Sequence, residues 1–391
     1  MMFRCFALSM LLGLGLSPAS AAEPAIAESL KAITAVSREG AGNDAAAKAW
    51  KSLVSQGQPA LIPTLTAFQD ANPTAANWLR TAADAIAENE RAAKKPLPKE
   101  TLIAFIQDAK QHPDARRIAF EIVQVDHAAE AKTLLPKFLN DPSLELRRDA
   151  IEAAFQADAK TESAGLQKLF AAARDKDQVE QIAKELEKLK KPVNITKHYG
   201  YITQWSAIGP FLSKDGAGFA KAYPPETKVD LNAELDGSLG KVKWVPAQAD
   251  NTYASMDLNT VLGKHKDSAA YTHAAIITEK ELPGEIRAAT KNAVKIFLNG
   301  KEVFAREEYH HGIRMDQHSA KVTFQKGRND IVLKVCQNDQ KESWAQDWTF
   351  SARVCDSSGA ALPVKQAIVK DGTETIVELG TLKPAMKKEG K

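Results

Sequence analysis

The densest concentration of groups that could do chemistry is Arg306-Glu307-Glu308-Tyr309-His310-His311-Gly312-Ile313-Arg314-Met315-Asp316-Gln317-His318. Three of the chain's eight histidines fall within nine residues of this segment, among carboxylates. Imidazole beside carboxylate is the donor set of a zinc-class ion. The spacing argues against one, because adjacent histidines point to opposite sides of an extended backbone and no His-x-x-x-His or Cys-x-x-Cys pair is present. No metal and no cofactor is therefore expected. Arg306, His310, His311 and Arg314 are instead candidates for polar contacts to a ligand, from a loop that follows a strand. A solvated loop whose charges pair with one another is the structural alternative.

A second segment, Gln337-Asn338-Asp339-Gln340-Lys341-Glu342-Ser343-Trp344-Ala345-Gln346-Asp347-Trp348, sets aromatic rings among amides and carboxylates. A carbohydrate needs that combination: a flat ring to stack on C–H faces, and hydrogen bonds to hydroxyls. Trp348 opens a strand pattern and reads as core, as do Trp205 and Trp244. Trp344 lies in the loop and is the ring available to a ligand, with Gln337 and Asn338 as its polar neighbours. No catalytic residues are assigned. The sequence carries no Gly-x-Ser-x-Gly elbow, phosphate-binding loop, dinucleotide fingerprint or His-Glu-x-x-His. Its many Asp and Glu residues do not single out a glycosidase pair.

The elements that position these segments are strands. Ala293 to Phe304 alternates apolar and polar residues around Asn299-Gly300, whose two positive-φ positions suit a type I′ hairpin turn. A two-residue turn pairs Leu298 with Lys301, Ile296 with Val303 and Val294 with Ala305, which puts these apolar residues on one face. Further strand patterns fall at 203–208, 242–245, 271–278, 285–289, 320–324, 330–336, 348–355 and 375–379. Turn signals separate them, Pro283-Gly284 among those. Many short strands without intervening helices mean an antiparallel sandwich or jelly roll.

The preceding 25–191 is helical in composition, with one-face apolar spacing at Leu166, Leu169, Phe170 and Ala173, and at Val179, Ile182, Ala183, Leu186 and Leu189. Pro192 ends the last helix and the composition changes near 192–197. A chain of 391 residues exceeds one ordinary core, so two domains are the default. The formal charge of +3 carries no nucleic-acid signal.

Residues 1–22 read as a secretory signal peptide: Arg4, then the apolar run 6–16, then small residues with cleavage after Ala21 or Ala22. No later stretch is apolar for long enough to span a bilayer, so a periplasmic or extracellular location without membrane insertion is expected. Cys336 and Cys355 then remain. If their strands pair as a hairpin, eight residues of strand, on the order of 25 Å, separate them, which keeps both thiols free.

Two resemblances follow. Arg-x-Ala recurs in 78–82, 115–119 and 146–150, at offsets suited to helix pairs. With the Asn140-Asp141-Pro142 turn and Leu146-Arg147-x-x-Ala150, the helical half resembles the HEAT-repeat family over 45–189. That resemblance implies Asp and Arg side chains tying neighbouring repeats, and a surface for a protein partner. Trp205-x-x-Ile208-Gly209-Pro210-Phe211, Tyr223-Pro224-Pro225-Glu226, the 294–303 hairpin with Arg306, Gly327-x-Asn329-x-Ile331-x-Leu333-Lys334-Val335 and Trp348-x-Phe350-x-x-Arg353 are similar to galactose-binding-like jelly-roll modules. Such modules occur beside glycosidase and lyase domains and in secreted proteins of environmental bacteria.

The reading is a multidomain α and β chain: signal peptide 1–22, HEAT-like helical array 25–191, galactose-binding-like β-sandwich 197–362 and C-terminal extension 363–391 with a last strand and a basic tail. The expected function is an exported, non-catalytic binding or scaffold protein that takes a ligand, a glycan by resemblance, on its sandwich. An accessory or cryptic carbohydrate-active hydrolase or lyase is the alternative, and a purely structural sandwich the second.

Overall fold

Asn72-Pro73 shows how the helical half starts its helices. Proline at the first helical position loses no hydrogen bond, and the Asn72 side chain accepts the exposed N–H groups of Thr74 and Ala75 at 3.0 Å. His112-Pro113 repeats the device, with His112 Nδ1 accepting from Asp114 N at 3.2 Å. At the Asp141 turn, Asp141 Oδ1 accepts from Ser143 N at 2.8 Å and Ser143 Oγ accepts from Leu146 N at 3.4 Å, opening helix Leu144–Ala157.

The computed structural model describes residues 18–157, 163–249, 251–370 and 373–382. Most of the signal-peptide reading and the basic tail lie outside the described residues. Two compact units part at 158/159. The first holds the helices from Pro18–Thr34 to Leu144–Ala157, with consecutive pairs such as Lys99–Gln107 and Pro113–Asp126 packed together over one apolar core. Arg116 donates two hydrogen bonds, both 2.7 Å, to the Asp141 carboxylate one helix pair later, and Arg116 is 1% exposed. Outside it runs a ladder: Arg80 to Glu121 at 2.7 Å, and Arg117 to Asp149.

The second unit carries the helices Ser163–Ala172 and Lys176–Lys188 together with antiparallel sheets, so the composition change at 192–197 falls inside it. Leu166, Leu169, Phe170, Ala173, Val179, Ile182 and Leu186 are buried, whereas Leu189, at the end of its helix, is exposed. The strands are β1 Gln204–Leu212, β2 Glu234–Gly237, β3 Gly240–Lys243, β4 Val245–Gln248, β5 Met256–Asp257, β6 Ser268–Thr278, β7 Leu282–Thr290, β8 Ala293–Leu298, β9 Lys301–Arg306, β10 His318–Phe324, β11 Gly327–Gln337, β12 Thr349–Cys355, β13 Lys365–Lys370 and β14 Thr373–Glu378. One sheet runs β14-β13-β6-β11-β8-β9, with β1 also on β6 and β4 on β1. β2 and β3 pair as a separate two-stranded sheet, and the other main sheet runs β10-β7-β12-β5. The two main sheets touch where Trp205 meets Phe350 edge to face at 5.1 Å and where Trp348 Nε1 donates to Val335 O at 3.2 Å.

Four expectations change. The hairpin turn forms at Asn299-Gly300, with φ of 52° and 77°, and Leu298 pairs with Lys301. A β-bulge then pairs Ile296 with Phe304 and Val294 with Arg306, one residue out from the expected register. Val303 and Phe304 are both apolar, so alternation cannot choose between them; the bulge lets the Phe304 ring pack 5.2 Å from that of His318. Pro283-Gly284 is no turn but lies within β7, where a Cβ on Gly284 would come 2.7 Å from Leu362 Cδ1. The extension past 362 is a hairpin, β13–β14, joined to β6 through Ala367 opposite Ala275.

Lastly, the long sheet is not half-exposed. Its outer face is covered by the 211–245 segment, giving a second core of Phe211, Phe219, Tyr271, Phe297, Val332 and Cys336. Lys334 on that face is 0% exposed, and its Nζ donates to Phe219 O, Lys221 O and Glu226 at 3.1, 2.7 and 2.8 Å. Cys336 is buried there and Cys355 in the other sheet, so both thiols are free because they occupy different sheets rather than opposite ends of one hairpin. Burial pushes them up, to about 12 and about 11.

Candidate functional site

The loop 307–317 leaves the edge strand β9 and returns as β10, which belongs to the other sheet. A loop that crosses between sheets has no ladder to hold it, so side chains must. Asp316, at φ 59°, supplies the anchor. Its carboxylate accepts from Arg353 Nε at 2.6 Å, Arg353 Nη2 at 2.5 Å and Arg287 Nη1 at 2.9 Å. Burial alone would raise its pKa, but the two guanidiniums overcome that and hold the carboxyl below its ordinary value. Arg353 is itself fixed by Tyr199 O and Gly359 O, each at 2.9 Å.

At the other end of the loop His310 takes φ 56°, and its N–H donates to Lys291 O at 2.6 Å. This left-handed residue sends the two adjacent imidazoles to different surfaces. His310 Nε2 donates to Asn338 Oδ1 at 2.6 Å, and its ring lies edge-on to Trp344 at 5.2 Å. Trp344 is 56% exposed on the turn Ser343–Ala345. Asn338 Nδ2 in turn donates to Gln340 Oε1 at 3.0 Å. His310, Asn338 and Trp344 therefore form one patch, as sequence neighbours of two different loops.

His311 faces away from that patch, into a cavity of about 720 Å³ lined by Phe304, Arg306, Glu308, His311, Arg314 and His318, among others. His311 Nδ1 lies 2.5 Å from Gln317 Nε2 and 3.0 Å from Gly312 O. Nε2 of His311, Oε1 of Gln317 and Nε2 of His318 are buried without a hydrogen-bond partner among the described residues. His318 is 6% exposed, and burial, aided by the His311 and Arg306 charges, lowers its pKa to about 4. Arg306 is committed to Glu308 at 2.7 Å, which holds that carboxyl below its usual value. Arg314 is exposed and pairs with no carboxylate among the described residues.

Of the residues singled out in the sequence, His310, Asn338 and Trp344 share the exposed patch, and Arg306, His311 and Arg314 share the cavity. Gln337 belongs to neither. It is 1% exposed, and its amide donates to Asp347 O at 2.9 Å and Gln346 O at 3.5 Å, so it fastens the 338–348 loop from beneath. His318, Phe304, Asp316 and Arg353 were not among the candidates. His318 carried a signal as the third histidine of the segment; Arg353, distant in sequence, carried none. Among the described residues no group of three His, Cys, Asp or Glu side chains is placed to hold a metal ion. The arrangement offers hydrogen-bond donors and one exposed aromatic face.

No family model matches the chain, and no curated protein matches it. Among solved structures, an anti-sigma factor domain-containing protein aligns with 46% of this chain and 48% of its own, at 10% identity and a TM-score of 0.23. A beta-glucuronidase from an uncultured Clostridium sp. aligns with 44% of this chain and 31% of its own, at 12% identity and a TM-score of 0.24. A beta-glucosidase from Kluyveromyces marxianus aligns with 75% of this chain and 38% of its own, at 8% identity and a TM-score of 0.25. In each case the aligned part is less than half of the other protein, and likenesses this distant carry no argument about fold or activity.

Proposed function

We propose that this chain is an exported, non-catalytic binding protein: a HEAT-like helical array that engages a protein partner, followed by a galactose-binding-like jelly roll that takes a glycan at one end. The signal-peptide pattern of 1–22 supports export, and the buried Arg116–Asp141 pair between successive helix pairs supports the repeat reading. One observation carries the ligand site. The turn at His310 gives the two adjacent histidines separate duties, His310 steadying the exposed Trp344 ring and His311 lining a cavity with unpartnered nitrogens. An exposed ring flanked by hydrogen-bonding groups, here Trp344 with His310 and Asn338, is the pairing that sugar recognition needs. The test is a glycan array probed with the full chain and with Trp344→Ala. Binding that falls at least tenfold in the variant supports the reading. A blank array, or binding indifferent to Trp344, overturns it.

A further inference from the structure

We infer that the cavity beside β10 seats a carboxylate, so that the glycan taken at this end of the second unit is an acidic one built from uronic acids. This rests on the glycan reading above and narrows it.

Positive charge outnumbers negative on the cavity wall. Arg314 presents a whole guanidinium to the cavity with no carboxylate on it among the described residues. Arg306 spends Nε and one Nη on Glu308, leaving its other Nη without a hydrogen bond among the described residues. Nε2 of His311 is buried with no hydrogen-bond partner among the described residues. Nε2 of His318 is buried on the same wall with no partner. Against these stands one carboxylate, Glu308, already held by Arg306.

Leaving a buried polar nitrogen unmatched is costly, so the site is completed by a polar group rather than by apolar surface. A sugar hydroxyl would accept one or two of these bonds and leave the surplus positive charge standing. A carboxylate takes the guanidinium in a two-bond fork and cancels the charge at once. The Phe304 ring and the Ile313 side chain supply an apolar wall for the C–H face of the same sugar ring. About 720 Å³ is room for a short oligosaccharide rather than a lone ion.

The experiment is calorimetry on the full chain with tetragalacturonate, its fully methyl-esterified form and a sulfated galactan oligosaccharide of similar length, each against wild type, Arg314→Ala and Trp344→Ala. The expected result is uronate binding at least tenfold tighter than its ester. Arg314→Ala should remove that advantage, and Trp344→Ala, on the other surface, should leave it in place. Arg314 is exposed and unpaired, so its loss leaves the fold intact. Equal binding of acid and ester, both lost in Trp344→Ala, overturns the carboxylate assignment and leaves the glycan reading standing. Tighter binding of the sulfated probe overturns it in favour of a sulfate ester. No binding of any of the three overturns it as well, and the glycan array then decides separately whether the wider reading survives.

Discussion

The Asp316 anchor can be tested by Asp316→Asn. The substitution keeps the side-chain shape and one acceptor oxygen but removes the charge between Arg353 and Arg287. The Arg353 side chain is 3% exposed and that of Asp316 23%. Stripping one partner from a fully buried pair costs roughly 3–5 kcal/mol. Partial exposure of Asp316 and the retained amide oxygen reduce that to about 2 kcal/mol, or about a 30-fold shift in an opening equilibrium. Hydrogen exchange of peptides from β10 and β12 reports this unit alone, which matters because a two-unit chain gives no single unfolding free energy. Exchange there should quicken about 30-fold at pH 7, with affinity for any ligand of the cavity falling while Arg306, His311 and Arg314 stay unchanged. The sign with pH follows from the lowered folded-state pKa. The ionised carboxylate stabilises fully above its unfolded value near 4, and the benefit fades as pH drops through the lower folded value. The wild-type advantage should therefore be flat from pH 8 to 5 and vanish in stronger acid. A difference below about 0.5 kcal/mol at pH 7, or one that survives undiminished at low pH, would refute the anchoring argument.

Further outcomes follow from the same geometry. His318, pushed down to about 4, is neutral in the folded chain while the unfolded chain takes up a proton near 6.5. Its burial should thus cost stability as pH falls from 6.5 to 4, by something on the order of 3 kcal/mol, and His318→Asn should flatten that slope in urea titrations of the second unit. In the helical unit, Asp141→Ala leaves Arg116 buried and unpaired and should cost roughly 3–5 kcal/mol. Arg80→Ala, on the exposed rung of the ladder, should cost under about 1 kcal/mol; far-UV circular dichroism during denaturation compares the two. Cys336 and Cys355 should resist a thiol reagent in the native chain at pH 7 and both react in urea, since burial holds each as the un-ionised thiol.

Local rules read well wherever one residue type settles the backbone. Asn299-Gly300 made its turn and Asp141-Pro142-Ser143 its cap, because each depends on neighbours in sequence. Alternation failed where a strand is covered on both faces. Lys334 reads as a solvent-facing residue of β11, yet it is the most enclosed cation of its sheet, because a segment more than a hundred residues earlier brings Phe219 O, Lys221 O and Glu226 to its ammonium. A lysine buried so is tolerable only with its three donors matched, and no spacing rule states that the matching groups exist.

The candidate site divides along the same line. That His310 and His311 serve different surfaces was legible in part, since neighbours diverge in an extended chain. What makes them diverge here is a left-handed residue at His310, held by Lys291 O, and a loop pinned at Asp316 by arginines from β7 and β12. Both causes are contacts of the loop with segments distant in sequence. A loop that joins sheets takes its shape from both of them, so its ligand-facing residues can be nominated from sequence but not sorted. Gln337 and Asn338 make the point at closest range. One residue apart at the end of β11, they carry nearly the same amide, yet Gln337 is turned under the loop to Asp347 O while Asn338 is turned out to the His310 ring. The paired substitution Gln337→Asn with Asn338→Gln would leave composition and hydrophobic pattern untouched. It should nonetheless free the 338–348 loop and misplace His310, to be read as lost Trp344-dependent binding without a change in secondary structure.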